Sequence, residues 1–247
     1  MKLLLLGTAG YHPNERRQTA CLMLPEAGIV LDAGTGLFRI RHNLITPTLD
    51  IFLTHAHLDH SVGLTYLLDV LFEKKLSRIT VHGEAQKLKS IEEHLFSADL
   101  FPVAPPYKSR PIEQGLKLEC GVRVTHFPVE HPGGAIGYRL DWADRSLAYV
   151  TDTTSAGAAS AYLDAIRGVD LLIHECNFKD GQEEWAKKTG HSSITPVAQA
   201  ALAAKVKRLV LVHFDALDES DDPVGIATAQ KIFPKTELGY DGMEIEF

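Results

Sequence analysis

Cysteine is scarce: Cys21, Cys120 and Cys176 are the only three in 247 residues. They are odd in number, widely spaced and outside any CxxC pattern, so neither a disulfide framework nor a zinc knuckle is indicated. That usage fits a reducing cytoplasm. Long apolar runs are missing as well. The opening Leu3 to Leu6 stops at Gly7, too short for the core of a signal peptide and far short of a membrane span, so it reads as a first strand. Positive charge is in deficit: 25 Lys and Arg face 32 Asp and Glu, for a formal net charge of -7. Bulk attraction to nucleic acid is therefore disfavoured, although a local basic patch would be compatible with this balance. There is no GxSxG, and Gly34-Thr35-Gly36 does not extend to GxGxxG, so triad hydrolases and dinucleotide enzymes find little support. No low-complexity tract or short repeat interrupts the chain.

What is present is ordinary globular material, 45% hydrophobic and 23% charged, long enough for a sizeable core. One domain over 1–247 is expected. Short apolar runs with strand lengths recur at Lys2-Leu6, Ala20-Leu24, Gly28-Asp32, Asp50-Leu53, Arg78-Val81, Val122-Phe127, Gly137-Leu140, Ser146-Thr151, Val169-His174, Arg208-His213 and Met243-Phe247. Helical periodicity appears over Asp59-Phe72, Glu84-Leu95, Ser160-Ile166, Pro196-Ala204 and Asp222-Phe233. Thr195-Pro196 reads as a cap followed by a first-turn proline. Phe101-Pro111, with four prolines in eleven residues, reads as a loop. Strands and long helices in both halves predict sheets covered by helices, an α/β or α+β layered architecture.

One heptad carries the chemistry. Thr54-His55-Ala56-His57-Leu58-Asp59-His60 follows a strand-like run and crowds three imidazoles and a carboxylate together. Residues two apart in an extended segment project to the same side, so His55 and His57 can meet one cation. Asp59 and His60, at the start of the helical pattern, point differently and can serve a second. Histidine with carboxylate suits zinc first, with manganese or iron as alternatives. A two-metal site needs about seven protein ligands, and single donors do sit at other strand ends: His131, Asp152 and His213. The heptad's spacing implies two metals; we assign His55, His57 and His131 to one, Asp59, His60 and His213 to the other, and Asp152 to a bridge between them. His126 is the rival of His131; His12, His42, His82 and His94 are read as surface or packing residues.

This pattern resembles the metallo-β-lactamase superfamily, whose hallmark is HxHxDH followed by a histidine, a bridging aspartate and a final histidine. The resemblance spans nearly the whole chain and implies an αββα sandwich, two mixed sheets with helices outside. Asp32 in Gly28-Ile-Val-Leu-Asp32 matches the aspartate that the family places beneath the site, where it would support the ligands. Leu171-Leu-Ile-His-Glu-Cys-Asn-Phe178 and Gly190-His-Ser-Ser193 resemble ribonuclease Z and its phosphodiesterase relatives. By that match His191 is an active-site histidine outside the ligand set, with Glu175 as its partner. Asp59, His191 and Glu175 make up the catalytic set.

The sequence departs from full ribonuclease Z, which inserts a long arm for gripping tRNA between the third histidine and the bridging aspartate. Here His131 and Asp152 stand 21 residues apart, and the family's catalytic glutamate falls at Tyr149. The expected activity is hydrolysis of a small or cyclic phosphodiester by water activated between two divalent cations, zinc first. The expected substrate is a small molecule rather than nucleic acid, with no membrane partner, and a homodimer is expected, as is common among the relatives that the resemblance implies. The alternatives are a tRNA 3′-processing endonuclease, a glyoxalase II-type thioesterase and a non-catalytic metal-binding scaffold.

Overall fold

Runs such as Leu3-Leu4-Leu5-Leu6 and Ile29-Val30-Leu31 are apolar at consecutive positions, and successive strand side chains point to opposite faces. Such runs belong in strands buried on both sides. The computed structural model of the protein describes residues 1–103, 106–155 and 157–247. Its strands are β1 Lys2–Gly7, β2 Cys21–Leu24, β3 Ile29–Leu31, β4 Thr48–Phe52, β5 Arg78–Gly83, β6 Lys108–Pro111, β7 Leu116–Lys117, β8 Arg123–Val129, β9 Ala135–Asp141, β10 Ser146–Val150, β11 Leu171–Glu175, β12 Leu209–Val212, β13 Thr236–Leu238 and β14 Glu244–Glu246. They form two seven-stranded mixed sheets, with strand orders β14-β1-β2-β3-β4-β5-β6 and β13-β12-β11-β10-β9-β8-β7. The chain divides into two compact units: Met1–Ile112 with Tyr240–Glu246, and Glu113–Gly239 with Phe247.

In the first unit β14, β1, β2 and β3 run antiparallel and β3 to β6 run parallel. Its helices are α1 Ile40–Asn43, α2 Leu58–Ser61, α3 Leu67–Val70 and α4 Ala85–Ser90. Leu4, Leu6, Val30, Leu49, Ile51 and Val81 pack one face of the sheet against Leu37, Ile40, Leu64, Leu67 and Leu88. The alternate positions Leu3, Leu5, Ile29, Leu31 and Phe52 are fully buried too. The helix expected over Asp59-Phe72 is broken into α2, a 3-10 segment Val62–Tyr66 and α3. Gly63 is the cause. Its amide donates to Ala33 O at 2.8 Å, and a Cβ there would collide with the carbonyls of Gly34 and Ala33, so the chain tightens where it passes that backbone.

In the second unit β7 to β10 run antiparallel and β10 to β13 parallel. Its helices are α5 Leu163–Ile166, α6 Glu183–Thr189, α7 Ile194–Ala203 and α8 Ile226–Ile232. Ala148, Val150, Leu172, Leu209 and Leu211 pack against Val197, Ala198 and Ala201 of α7 and Ala229 of α8.

Two local expectations need correcting. Thr195 is not the cap of α7: the helix starts at Ile194 after Ser193, because Asp180 takes the Thr195 hydroxyl at 2.7 Å and its amide at 3.2 Å, which satisfies the first turn from outside. The loop expected over 101–111 ends in β6, which pairs with β5 from Lys108 to Pro111; as an edge strand it tolerates proline. Pro105 lies outside the described residues. Sheets with helices, as the sequence predicts, are what the chain forms.

Candidate metal centre

Parallel strands put their carboxyl ends on one edge, and that edge is where ligand sites collect in open α/β sheets. In the first unit β3 leads to Asp32, and β4 leads through Leu53 to Thr54 and His55. In the second unit β10 leads to Asp152, β11 ends in Glu175 and β12 leads to His213. β8, antiparallel to β9 as is β10, brings His131 to the same edge. Three of these residues leave their strands in left-handed backbone: Asp32 at φ 58°, Asp152 at φ 46° and His213 at φ 58°. None is glycine, and each such conformation costs about 1–3 kcal/mol. Strain of this kind concentrates at functional sites.

The first cluster is organised by Asp32, which is fully buried. Its Oδ1 accepts the Thr54 amide at 2.8 Å, and its Oδ2 accepts the Thr54 hydroxyl at 2.9 Å and His60 Nδ1 at 2.9 Å. Since Thr54 Oγ1 gives its proton to Asp32, it accepts from His55 Nδ1 at 3.0 Å. Both imidazoles are thus protonated on Nδ1 and leave Nε2 unprotonated, the nitrogen through which a ring anchored this way could bind a metal. The His55 ring lies 4.4 Å from His57 and 4.3 Å from His60, centroid to centroid, and His60 Nε2 is 3.3 Å from Asp59 Oδ2. Asp59 Oδ2 also accepts the Tyr11 amide at 2.8 Å.

The second cluster centres on Asp152. Its Oδ1 is 3.0 Å from His213 Nε2 and its Oδ2 is 3.6 Å from His131 Nε2. One carboxylate therefore turns one oxygen to each imidazole. His131 gives Nδ1–H to the Gly190 carbonyl at 2.9 Å, again leaving Nε2 forward. Gly190 supplies that carbonyl because it ends α6 in left-handed backbone, φ 80°, a conformation glycine adopts without strain. The His191 ring stands 5.4 Å from His131 and 5.2 Å from His213. Its Nδ1 is 3.7 Å from Glu175 Oε1, beyond hydrogen-bond range but on the facing side. Glu175, His191 and His213 also converge tightly enough to hold an ion.

Glu175 itself is fully buried and accepts the amides of Thr153 at 3.2 Å, Ser192 at 2.7 Å and Asn177 at 3.1 Å. It ties the segment after β10 to the start of α7. Ser192 adds a second tie, its hydroxyl donating to Thr153 O at 2.6 Å. Sequence reasoning gave no role to Thr54, Thr153 or Ser192, although Thr54 opens the heptad and Ser192 lies within Gly190-His-Ser-Ser193; Thr153 alone stood outside both motifs. His126, the rival of His131, sits inside β8 opposite Tyr138. His82 is a packing residue, stacked on Phe52 at 4.5 Å with Nε2 on Asp50 at 2.9 Å.

His174 is likewise structural. Its Nδ1 donates to the carbonyl of Glu175 at 2.6 Å, and Nε2 accepts the hydroxyl of Tyr162 at 2.6 Å. Burial holds this imidazole below the ordinary histidine value and pushes the Tyr162 phenol up to about 12. An unfolded chain takes up a proton that folded His174 refuses, so its contribution is complete above the ordinary histidine value and is lost as pH falls below it. The urea midpoint should drop between about pH 7.5 and about pH 5, and His174→Gln should flatten that drop; an unchanged slope would remove His174 from the account.

Sheets with helices, together with groups of imidazole and carboxylate suited to holding a metal ion, define a hydrolase of the metallo-β-lactamase fold. A model of the beta-lactamase superfamily domain matches residues 28–214, and the chain belongs to the metallo-β-lactamase superfamily. It is 27% identical to a ribonuclease Z of Gemmatimonas aurantiaca, over 98% of this chain and 94% of that protein. Among solved structures it is similar to the metallo-beta-lactamase fold protein YhfI from Bacillus subtilis, 18% identical, TM-score 0.82, over 100% of this chain and 99% of that one. It is also similar to a diphosphatase of the PhnP family, 19% identical, TM-score 0.75, over 100% and 97%. No helix among the described residues is long and apolar enough to cross a membrane.

Proposed function

We propose that 1–247 acts as one domain, a dinuclear metal-dependent phosphodiesterase whose substrate is a small or cyclic phosphodiester. The observation that carries this reading is Asp152, one carboxylate with separate oxygens on two imidazoles, as a bridge between two cations requires. The donor set fits such ions, because His55, His60 and His131 are each anchored through Nδ1 with Nε2 presented. His55, His57 and His131 would hold one ion, Asp59, His60 and His213 the other, and Asp152 both. Zinc suits these ligands best. When bound, the pair would cancel charge on the phosphoryl oxygens and make a water acidic enough to attack at neutral pH.

The remaining work falls to the chain. Asp32 and Thr54 fix the tautomers of His55 and His60, and the Gly190 carbonyl fixes that of His131. His191 delivers a proton to the departing oxygen, with Glu175 facing its Nδ1. A general acid of this kind contributes about 10²- to 10⁴-fold. His191→Ala should lose that factor in turnover of bis(p-nitrophenyl) phosphate while metal content stays the same. A fall in metal stoichiometry would instead make His191 a ligand.

The link between His131 and Asp152 favours a small substrate. It is a plain hairpin of β9 and β10, closed by Trp142 N to Arg145 O at 2.9 Å, with no room for an arm. The alignment with the Gemmatimonas ribonuclease Z extends over 299 positions against 247 residues here, so that relative carries insertions this chain lacks. Its name still favours a second reading, cleavage at the 3′ end of precursor tRNA. Turnover should be measured on cyclic nucleotides, cyclic ribose phosphates, bis(p-nitrophenyl) phosphate, a precursor tRNA and S-lactoylglutathione, with metal content from the same preparation. Phosphodiester turnover is the expected result; activity on the thioester alone would overturn it, and activity on the tRNA alone would install the second reading. The free thiols Cys21, Cys120 and Cys176 suit a cytoplasmic enzyme.

A further inference from the structure

Tyr11 holds a φ of 62°, a left-handed backbone that a bulky residue adopts at a cost of about 1–3 kcal/mol. Packing does not offset that cost, since the residue is 84% exposed. Among the described residues its ring has one aromatic contact, an edge-on approach to His12 with centroids 5.7 Å apart. The bent backbone does have a use: the Tyr11 amide donates to Asp59 Oδ2 at 2.8 Å. Glycine would make that bond without strain. What tyrosine adds at this position is therefore its ring, projected into solvent from the backbone that touches one of the proposed metal ligands.

We propose that Tyr11 is a substrate-recognition residue, on whose ring a flat aromatic group of the substrate stacks, a nucleobase or an aryl ester of the phosphodiester. The identity of the substrate rests on the phosphodiesterase reading above. Bound cations and the imidazoles would take the phosphate; a neutral π face serves an uncharged planar group, and it does so without selecting among bases. The residues flanking Asp59 offer a competing receptor, an apolar cleft of about 250 Å³ whose walls include Ala56, Leu58, Ile91 and Leu95.

The test uses the zinc-loaded full chain and calorimetric binding of phenylphosphonate and methylphosphonate, with Tyr11→Gly, Tyr11→Phe and Leu58→Ser beside the wild type. Glycine accepts the native φ, so Tyr11→Gly should fold with an unchanged or raised Tm. The preference for the phenyl ligand should fall about fivefold to tenfold in Tyr11→Gly, the lower part of what one aromatic stack is worth, and should persist in Tyr11→Phe. An unchanged preference in Tyr11→Gly overturns the proposal. So does loss of the preference in Leu58→Ser alone, which would put the ring in the cleft. Turnover of bis(p-nitrophenyl) phosphate by the wild type, run alongside, judges the phosphodiesterase reading separately, because the binding ratio requires no catalysis.

Discussion

Asp32→Ala is expected to cost roughly 3 kcal/mol or more of unfolding free energy, because it strands the buried Thr54 amide, Thr54 hydroxyl and His60 Nδ1–H, each worth about 1–3 kcal/mol when left without an acceptor. The left-handed backbone at this position adds to the penalty, since alanine lacks the tolerance for it that Asp and Asn share. Asp32→Asn separates the two roles. It keeps an oxygen for the Thr54 amide and accepts the backbone, but its NH₂ would face His60 Nδ1–H, donor against donor. The ring must then turn or change tautomer, and Nε2 is no longer presented. Asp32→Asn should fold nearly normally and bind zinc about 10- to 100-fold more weakly, the usual cost of losing a partner behind a metal ligand. Urea unfolding and a competitive zinc titration read the two effects apart. Normal zinc affinity in Asp32→Asn would mean that the carboxylate serves folding only.

Asp152→Ala should be the most damaging single change to activity. It removes the one group with an oxygen on each of His131 and His213. At least one of two metal equivalents should be lost, and turnover should fall about 10³-fold or more, since electrostatic stabilisation by a bound cation is worth several kcal/mol and each 1.36 kcal/mol is tenfold. Metal analysis after zinc loading, together with turnover of bis(p-nitrophenyl) phosphate, checks it. Two full equivalents in the variant would place the bridge elsewhere. The comparison with His191→Ala is the sharper discriminator: one variant should lose metal and activity together, the other activity alone.

Much of this architecture is legible in the chain because its central strands are buried on both faces. Leu3 to Leu6, Ile29 to Leu31 and Leu209 to Val212 are continuous apolar runs for that reason. The strands that escape detection are β6, β7 and β13, all at or near a sheet edge, short, and built from Lys108-Ser-Arg-Pro111, Leu116-Lys117 and Thr236-Glu-Leu238. Edge strands need no second apolar face, so they leave no pattern to read. Helix α6 escapes because Glu183-Glu-Trp-Ala-Lys-Lys-Thr189 buries only Ala186. At the site, the heptad announces itself by density of titratable groups. The hydrogen bonds behind it do not, since Thr54, Thr153 and Ser192 are ordinary residue types whose importance lies in what stands next to them in space. Backbone carbonyls such as that of Gly190 are invisible in any sequence.

The left-handed residues at strand ends bear on how this protein could be altered in the laboratory. A glycine at 152 would relax the backbone but would also remove a buried carboxylate that accepts the Thr151 hydroxyl and faces His131 and His213. A screen that rewards only resistance to heat registers the relaxed backbone and is blind to lost turnover, so any such replacement it kept would be hardy and inert. Any effort to toughen the molecule has to select for turnover in the same round, or it will polish away the distortion that holds the reactive edge in shape.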